Sequence, residues 1–377
     1  MKKNSKYDTP LRIICAVLFA TFSFLYIYLF QGELLALVQD FFSQGKTTNN
    51  TFITATLITL LLMVLQFLLN RVGKLHGRYE AFSYLPSFVL LALITKVDAY
   101  LSYSLWQWVI ALIIVAVLFV LVVWIERNTL LSRDVRFLRE LNPNLMVMAV
   151  MFVFAGWYGN NSPAQQMELA AWKYAHNEDY ENVLCVGKRS LDTNANLTAL
   201  RSLAMAKTGR LGKHLFTYPQ PYGAEGLLMN RYKVQTTAYG AEEFYKLLGD
   251  CPYGGEEADA FYKRMMLKYE TEEYRNLYAA ALLLDKNLEE FVSLTVEGES
   301  AVDSLSNAPT HYQEAWMIYN EQHPFSPVRF KPNSAVVERY QSYLSLREEY
   351  ASDVVSMQSL SHRRFGNTYW YYYDFVK

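Results

Sequence analysis

The sequence predicts an all-α protein in two parts, an N-terminal bundle of about five transmembrane helices (residues 1–158) and a domain of paired helices (residues 159–377). Three observations predict it. Of the 377 residues 52% are hydrophobic, and the long apolar runs all lie before residue 159. After that point apolar residues recur at three and four spacing, as in Leu277, Ala280, Ala281, Leu284 and Leu288. Alternation of period two barely occurs, so strands are not expected.

The spans are expected near 11–31, 51–70, 81–97, 104–125 and 143–158. A bilayer core of about 30 Å takes about 20 apolar residues in a helix. The first, second and fourth runs meet that length without an internal charge. The third contains Pro86 and ends at Lys96 and Asp98, which predicts a kinked span with those charges at the interface. In the fifth, the Asn142-Pro143-Asn144 run supplies a cap and a first-turn proline for a helix starting near Pro143, with Trp157 and Tyr158 at the far interface.

Loop charge gives the expected orientation. Lys2, Lys3, Lys6 and Arg12, then Arg71, Lys74 and Arg78, then Arg127, Arg133, Arg136 and Arg139 fall on one side, against Lys46 and Lys96 on the other. Basic loops stay cytoplasmic, so the N-terminus is placed inside and residues 159–377 outside. The first run is too long for a signal peptide and lacks a small-residue cleavage site, which predicts an uncleaved anchor. Residues 31–50 predict an amphipathic helix on the membrane surface, with Leu34, Leu35, Val38, Phe41 and Phe42 in the interface.

Residues 159–377 carry 22 basic and 28 acidic side chains. Helices are expected over 164–176, 178–191, 196–208, 240–249, 256–270, 272–283, 286–295, 310–320 and 334–355. In 168–210 a small residue, Ala171, permits close helix approach before an Asn-Glu-Asp turn. Tyr180, Val183 and Leu191 then form the expected buried stripe. Gly209 ends the next helix, where a left-handed backbone is needed.

The stretch 168–210 and the run RNLYAAALLLDKNLEEFVSL (275–294) resemble tetratricopeptide-type helical pairs. Ala195 stands where that pattern has proline, and Ser190 where it has alanine. The resemblance implies an α-helical-repeat solenoid whose concave face binds peptides or proteins. The spans taken with ALRSLAMAKTGRLGKHLF, HYQEAW (311–316) and RRFGNTYWYYYDF (363–375) also resemble an uncharacterised family of bacterial multi-pass inner-membrane proteins with a tetratricopeptide-like extracytoplasmic part. That resemblance implies a setting and a fold, and no reaction.

Catalytic constellations are sparse. His76, His176, His214, His311, His323 and His362 show no metal-ligand spacing. Glu256, Glu257 and Asp259 follow Gly254 and Gly255 as first-turn acids of a helix. Cys15 is expected inside the first span; Cys185 and Cys251 are either a disulfide in an oxidising compartment or two buried thiols. Gln66 and Gln107 are the strongest polar groups at span centres, which disfavours a transport path. No cofactor is implied, and the net charge of −1 argues against nucleic acid as a partner.

The last ten residues hold Tyr369, Trp370, Tyr371, Tyr372, Tyr373 and Phe375. Such a run is a packed cap, a membrane-interface belt, or a partner-binding edge of high β-propensity. The expected function is a membrane-anchored interaction or scaffold protein of the bacterial envelope, touching membrane lipid and an envelope protein. The alternative is a membrane-bound enzyme of envelope lipid or glycan chemistry using Glu33, Asp40 and Asp98.

Overall fold

A computed structural model describes residues 8–43, 49–95, 137–159, 162–229, 240–297, 308–325 and 332–376, with scattered helical positions between 113 and 124. The chain divides into two compact units, Met1–Ser162 and Pro163–Lys377. Every regular element among the described residues is helical.

In the first unit, α1 (Asp8–Phe30), α2 (Gly32–Ser43) and α3 (Thr51–Gly73) lead to a 3-10 helix (Gly77–Tyr84), α4 (Leu85–Ile94) and α5 (Phe137–Tyr158). Three helices are long and apolar enough to cross a membrane: Asp8–Phe30, Thr51–Gly73 and Phe137–Trp157. Their inner faces and α4 share one core, built from Cys15, Phe19, Leu62, Phe88, Met148 and Ala155. Within it the Phe22 and Phe152 rings stack at 4.2 Å. The outer faces leave Ile13, Val17, Leu61, Val64, Phe67 and Val153 exposed. Water would penalise that surface, whereas hydrocarbon would not.

The structure corrects four expectations here. The third span is not one long helix: a 3-10 turn precedes the ten-residue α4, which rises about 15 Å, half a bilayer core. Pro86 lies in the first turn of α4, so it opens a helix rather than kinking one. The fifth helix does not start near Pro143; it begins by Phe137 and carries Pro143 inside, which lengthens a 14-residue apolar run into a 22-residue helix. In α2, Leu34 and Leu35 are buried in the bundle instead of lying in a membrane interface. Most of the span near 104–125, Gln107, Lys96, Asp98 and the side chains of Val38, Phe41 and Phe42 lie outside the described residues.

The second unit continues with α6 (Pro163–His176), α7 (Tyr180–Cys185), α8 (Ala195–Lys207), the short α9 (Leu211–His214), α10 (Ala241–Leu248) and α11 (Ala258–Tyr269). It ends with α12 (Glu272–Leu284), α13 (Leu288–Glu297), α14 (Thr310–Gln322), α15 (Ser334–Glu349), α16 (Val354–Phe365) and α17 (Tyr369–Phe375). Neighbours in sequence pack together: α6 on α7, α7 on α8, then α11 to α17 each on the next. Helix α8 is buried on all sides from Ala195 to Ala206 and also meets α12. Small residues make that approach possible, Ala199 and Ala204 on α8 and Ala280 and Ala281 on α12 all being buried.

Two predicted helices end early. The 178–191 helix stops at Cys185, because Gly187 takes φ +57° and turns the chain; Leu191, expected in the buried stripe, is therefore 70% exposed. The 334–355 helix stops at Glu349, and the Asp353 side chain caps a new helix by accepting from the Ser356 N–H at 3.1 Å.

Candidate functional site

The aromatic tail is a helix, not a strand edge. Thr368 caps α17, its hydroxyl accepting from the Tyr371 N–H at 3.3 Å, and the buried Glu314 carboxylate accepts from the Tyr369 N–H at 2.8 Å. The second donor to that same Glu314 oxygen is His311 Nδ1 at 2.8 Å, and the Trp370 indole donates to the Glu314 carbonyl at 3.1 Å. Tyr372 donates to the Leu284 carbonyl at 2.6 Å. At the other end, Lys286 donates to the carbonyls of Tyr373 and Val376 at 2.9 and 2.6 Å, a cation at a helix C-terminus.

Tyr369, Trp370 and Tyr372 are buried, while Tyr371 and Tyr373 are half exposed. Phe216 packs between the rings of His311, Tyr369 and Tyr372. A seven-residue helix has little stability alone, so these tertiary contacts hold it. The HYQEAW run and the aromatic tail, 55 residues apart, are thus one packing unit.

In the first unit a polar centre joins four elements. The Arg12 guanidinium pairs with the fully buried Glu80 at 3.0 Å, and Asn70 donates to the same carboxylate at 3.1 Å. Asn144 accepts from the Ala81 N–H at 2.7 Å and donates to the Gly77 carbonyl at 2.7 Å. Gly77 has φ +61°, and a side chain there would meet the buried Glu140 carboxylate. Gln66 lies buried against Ser83, donating at 2.8 Å.

None of Glu80, Glu140 and Asn144 stands out in sequence. An i, i+4 pair at Glu140 and Asn144 becomes legible only once α5 is known to begin before Pro143. Of the acids named for an enzyme, Glu33 is half buried in the first turn of α2, and Asp98 and the Asp40 side chain lie outside the described residues.

Among the described residues no group of three His, Cys, Asp or Glu is placed to hold a metal ion. Cys185 and Cys251 are free and exposed, neither bonded to each other nor buried as expected; Cys15 is buried.

One exposed surface combines order with apolar area. Tyr253 is 66% exposed, and the Arg264 guanidinium lies over its ring at 4.1 Å. Arg264 is fixed by Glu256, to which it donates from Nε and Nη2 at 2.9 Å each, and by the Cys251 carbonyl at 3.1 Å and Asp250 at 3.3 Å. Glu256 also accepts from the Tyr253 N–H at 2.9 Å.

Lys268 donates to Asp250 at 2.8 Å and lies 4.8 Å from the Tyr269 ring. Its hydrogen bond, with that of the Cys251 N–H, holds the Asp250 carboxyl below its ordinary pKa. Arg264, Leu267 and Lys268 share one face of α11, and Leu267 is 67% exposed. Glu256 is therefore an anchor for Arg264, which agrees with a structural role for that acidic cluster. Sequence pattern hides this surface because Glu256 and Arg264 straddle a helix start eight residues apart.

No curated protein matches the chain, and no solved structure matches it. The profile of one family matches residues 137–253 and 263–376, which takes in α5 and most of the second unit. The chain belongs to that family, described as a family of unknown function (DUF6057).

Proposed function

We propose that the chain is a membrane-anchored interaction protein of the bacterial envelope, with five spans in the inner membrane, the third made by the 3-10 helix and α4 in succession, a cytoplasmic N-terminus and the Pro163–Lys377 unit in the periplasm. Three helices of spanning length and the bias of basic residues to alternate loops support that topology. Successive packing of helices through the second unit supports reading it as a tetratricopeptide-like solenoid.

The observation that carries the interaction reading is the surface around Tyr253. An exposed ring held by a fully engaged arginine loses little entropy on binding, and Tyr and Arg are the residues that dominate protein interfaces. The partner is an envelope protein presenting an apolar and aromatic patch to Tyr253 and Leu267, while membrane lipid surrounds the spans.

Two measurements test this. Exposed Cys251 suits labelling by a membrane-impermeant maleimide in a Cys185→Ser background. Labelling in cells with a permeable outer membrane is expected, and protection until lysis would refute the topology. A photo-crosslinking amino acid at position 253 is expected to trap one discrete partner, with the adduct lost in Arg264→Ala. Equal trapping in that variant would refute the role of the surface.

A further inference from the structure

We infer that the second unit contains an oxyanion-binding site for a phosphate group, formed where the turn at residues 186–189 meets α9, with Arg201 at its base and Lys188, Lys213 and His214 at its rim.

The first observation is a buried cation without a counter-ion. Arg201, in the middle of α8, is 1% exposed. Its Nη2 donates to the carbonyls of Val186 and Gly187 at 3.0 and 3.2 Å, and its guanidinium lies 4.6 Å from the Tyr218 ring centroid. Its Nε and Nη1 are buried without a hydrogen-bond partner among the described residues. Among the described residues no carboxylate biases the guanidinium, and burial pushes its pKa down to about 10. Leaving a buried charge uncompensated costs several kcal/mol, so folds ordinarily supply a partner.

The second observation is independent and lies on other elements. The turn that Arg201 holds by its carbonyls continues directly into Lys188 and Arg189, both exposed. Helix α9, packed against the α8 helix that carries Arg201, brings exposed Lys213 and His214 after Arg210. Partial desolvation first, then the nearby charges of His311, Arg210, Lys188 and Lys213, lower the pKa of His214, whose ring is otherwise exposed. One acid answers this group, Glu181, paired with Arg210 at 2.7 Å. Among the described residues Lys188 and Lys213 have no carboxylate partner.

Gly187 makes the approach possible. A Cβ there would lie 2.0 Å from the Met167 sulfur and 3.0 Å from Arg201 Nη2, so the backbone, the thioether and the guanidinium are in close contact. Half-buried Met167, an unbranched and flexible side chain, is the element that must swing aside to uncover Arg201. A phosphate entering there would meet two flexible lysines and an arginine whose Nε and Nη1 each still have a proton to donate, a set of cationic donors suited to that group.

The test uses the detergent-solubilised full chain and follows its unfolding temperature with inorganic phosphate against chloride at matched ionic strength. A saturable rise with phosphate is expected, because a ligand of the native state stabilises by mass action. Lys188→Ala combined with Lys213→Ala changes only exposed side chains, and is expected to weaken the apparent phosphate affinity at least about tenfold. Arg201→Met, which fills the same space without charge, is expected to abolish the response.

Lipid nanodiscs separate the sources. A stabilisation by phosphatidylglycerol discs that pre-empts the effect of free phosphate identifies a lipid headgroup, and an unchanged phosphate response in phosphatidylcholine discs identifies a soluble phosphate. No phosphate-specific rise, or an equal rise in the double-lysine variant, would overturn the site.

Discussion

The carboxylate of Glu314 and the backbone N–H of Tyr369 meet at 2.8 Å, with the Glu314 side chain fully out of water. That bond ties the start of the last helix to the middle of α14. Glu314→Ala leaves the Tyr369 N–H and His311 Nδ1 without their acceptor, and is expected to cost about 2–4 kcal/mol. Glu314→Gln keeps an acceptor and should cost less. Near-UV circular dichroism reports the tail rings directly; an unchanged spectrum and melting point in Glu314→Ala would show that the contact holds nothing.

The surface around Arg264 predicts the opposite pattern. Its ion pairs are partly solvated, so Arg264→Ala should shift stability by no more than about 1 kcal/mol. Crosslinking from position 253 should nevertheless fall, because the ring loses the plane that orders it. A loss of fold in this variant, seen by chemical denaturation, would mean the cluster is structural.

In the first unit, Arg12→Ala strands the buried Glu80 carboxylate with Asn70 as its remaining side-chain donor. The expected cost is about 2–4 kcal/mol, below the full value for a buried pair because Arg12 is itself half exposed. Glu80→Gln in the same background should recover part of it. Thermal unfolding in detergent measures both, and additive effects of the two changes would show the pair to be uncoupled.

His214 makes a prediction about pH. Partial desolvation of this exposed ring comes first among the causes that lower its pKa, followed by the charges of His311, Arg210, Lys188 and Lys213. The unfolded chain, with a histidine pKa of about 6.5, then binds the proton more readily than the native state. Its contribution to stability is present above that value and is lost as pH falls toward the folded pKa. His214→Gln should flatten the decline in melting temperature between about pH 7 and pH 5. Bound phosphate should flatten it too, by offsetting the neighbouring positive charge; an identical slope in the variant would exclude His214 as the source.

Much of the architecture was legible in the residues. Runs such as 11–30 and 51–70 mark helices long and apolar enough to cross a membrane because length and hydrophobicity are local properties, and α6, α8, α11 and α12 follow from local apolar period. The start of α5 was not legible, since Asn142-Pro143-Asn144 has a helix-opening signature that the preceding residues override. The strand propensity of the tail was likewise outweighed by packing: Tyr369, Trp370 and Tyr372 bury more area as one face of a helix against Phe216 and Tyr340.

The all-helical class, the long apolar helices and most helix positions in the second unit are therefore local properties, each resting on residues within a few turns of each other. Which distant groups meet is a matter of the tertiary fold alone. Glu314 meets Tyr369, Arg12 meets Glu80, Arg264 meets Tyr253 through Glu256, and Arg201 reaches the turn at Gly187. The physical reason is that a buried or stacked charge depends on the field of neighbours brought from elsewhere in the chain, and no local period encodes that field.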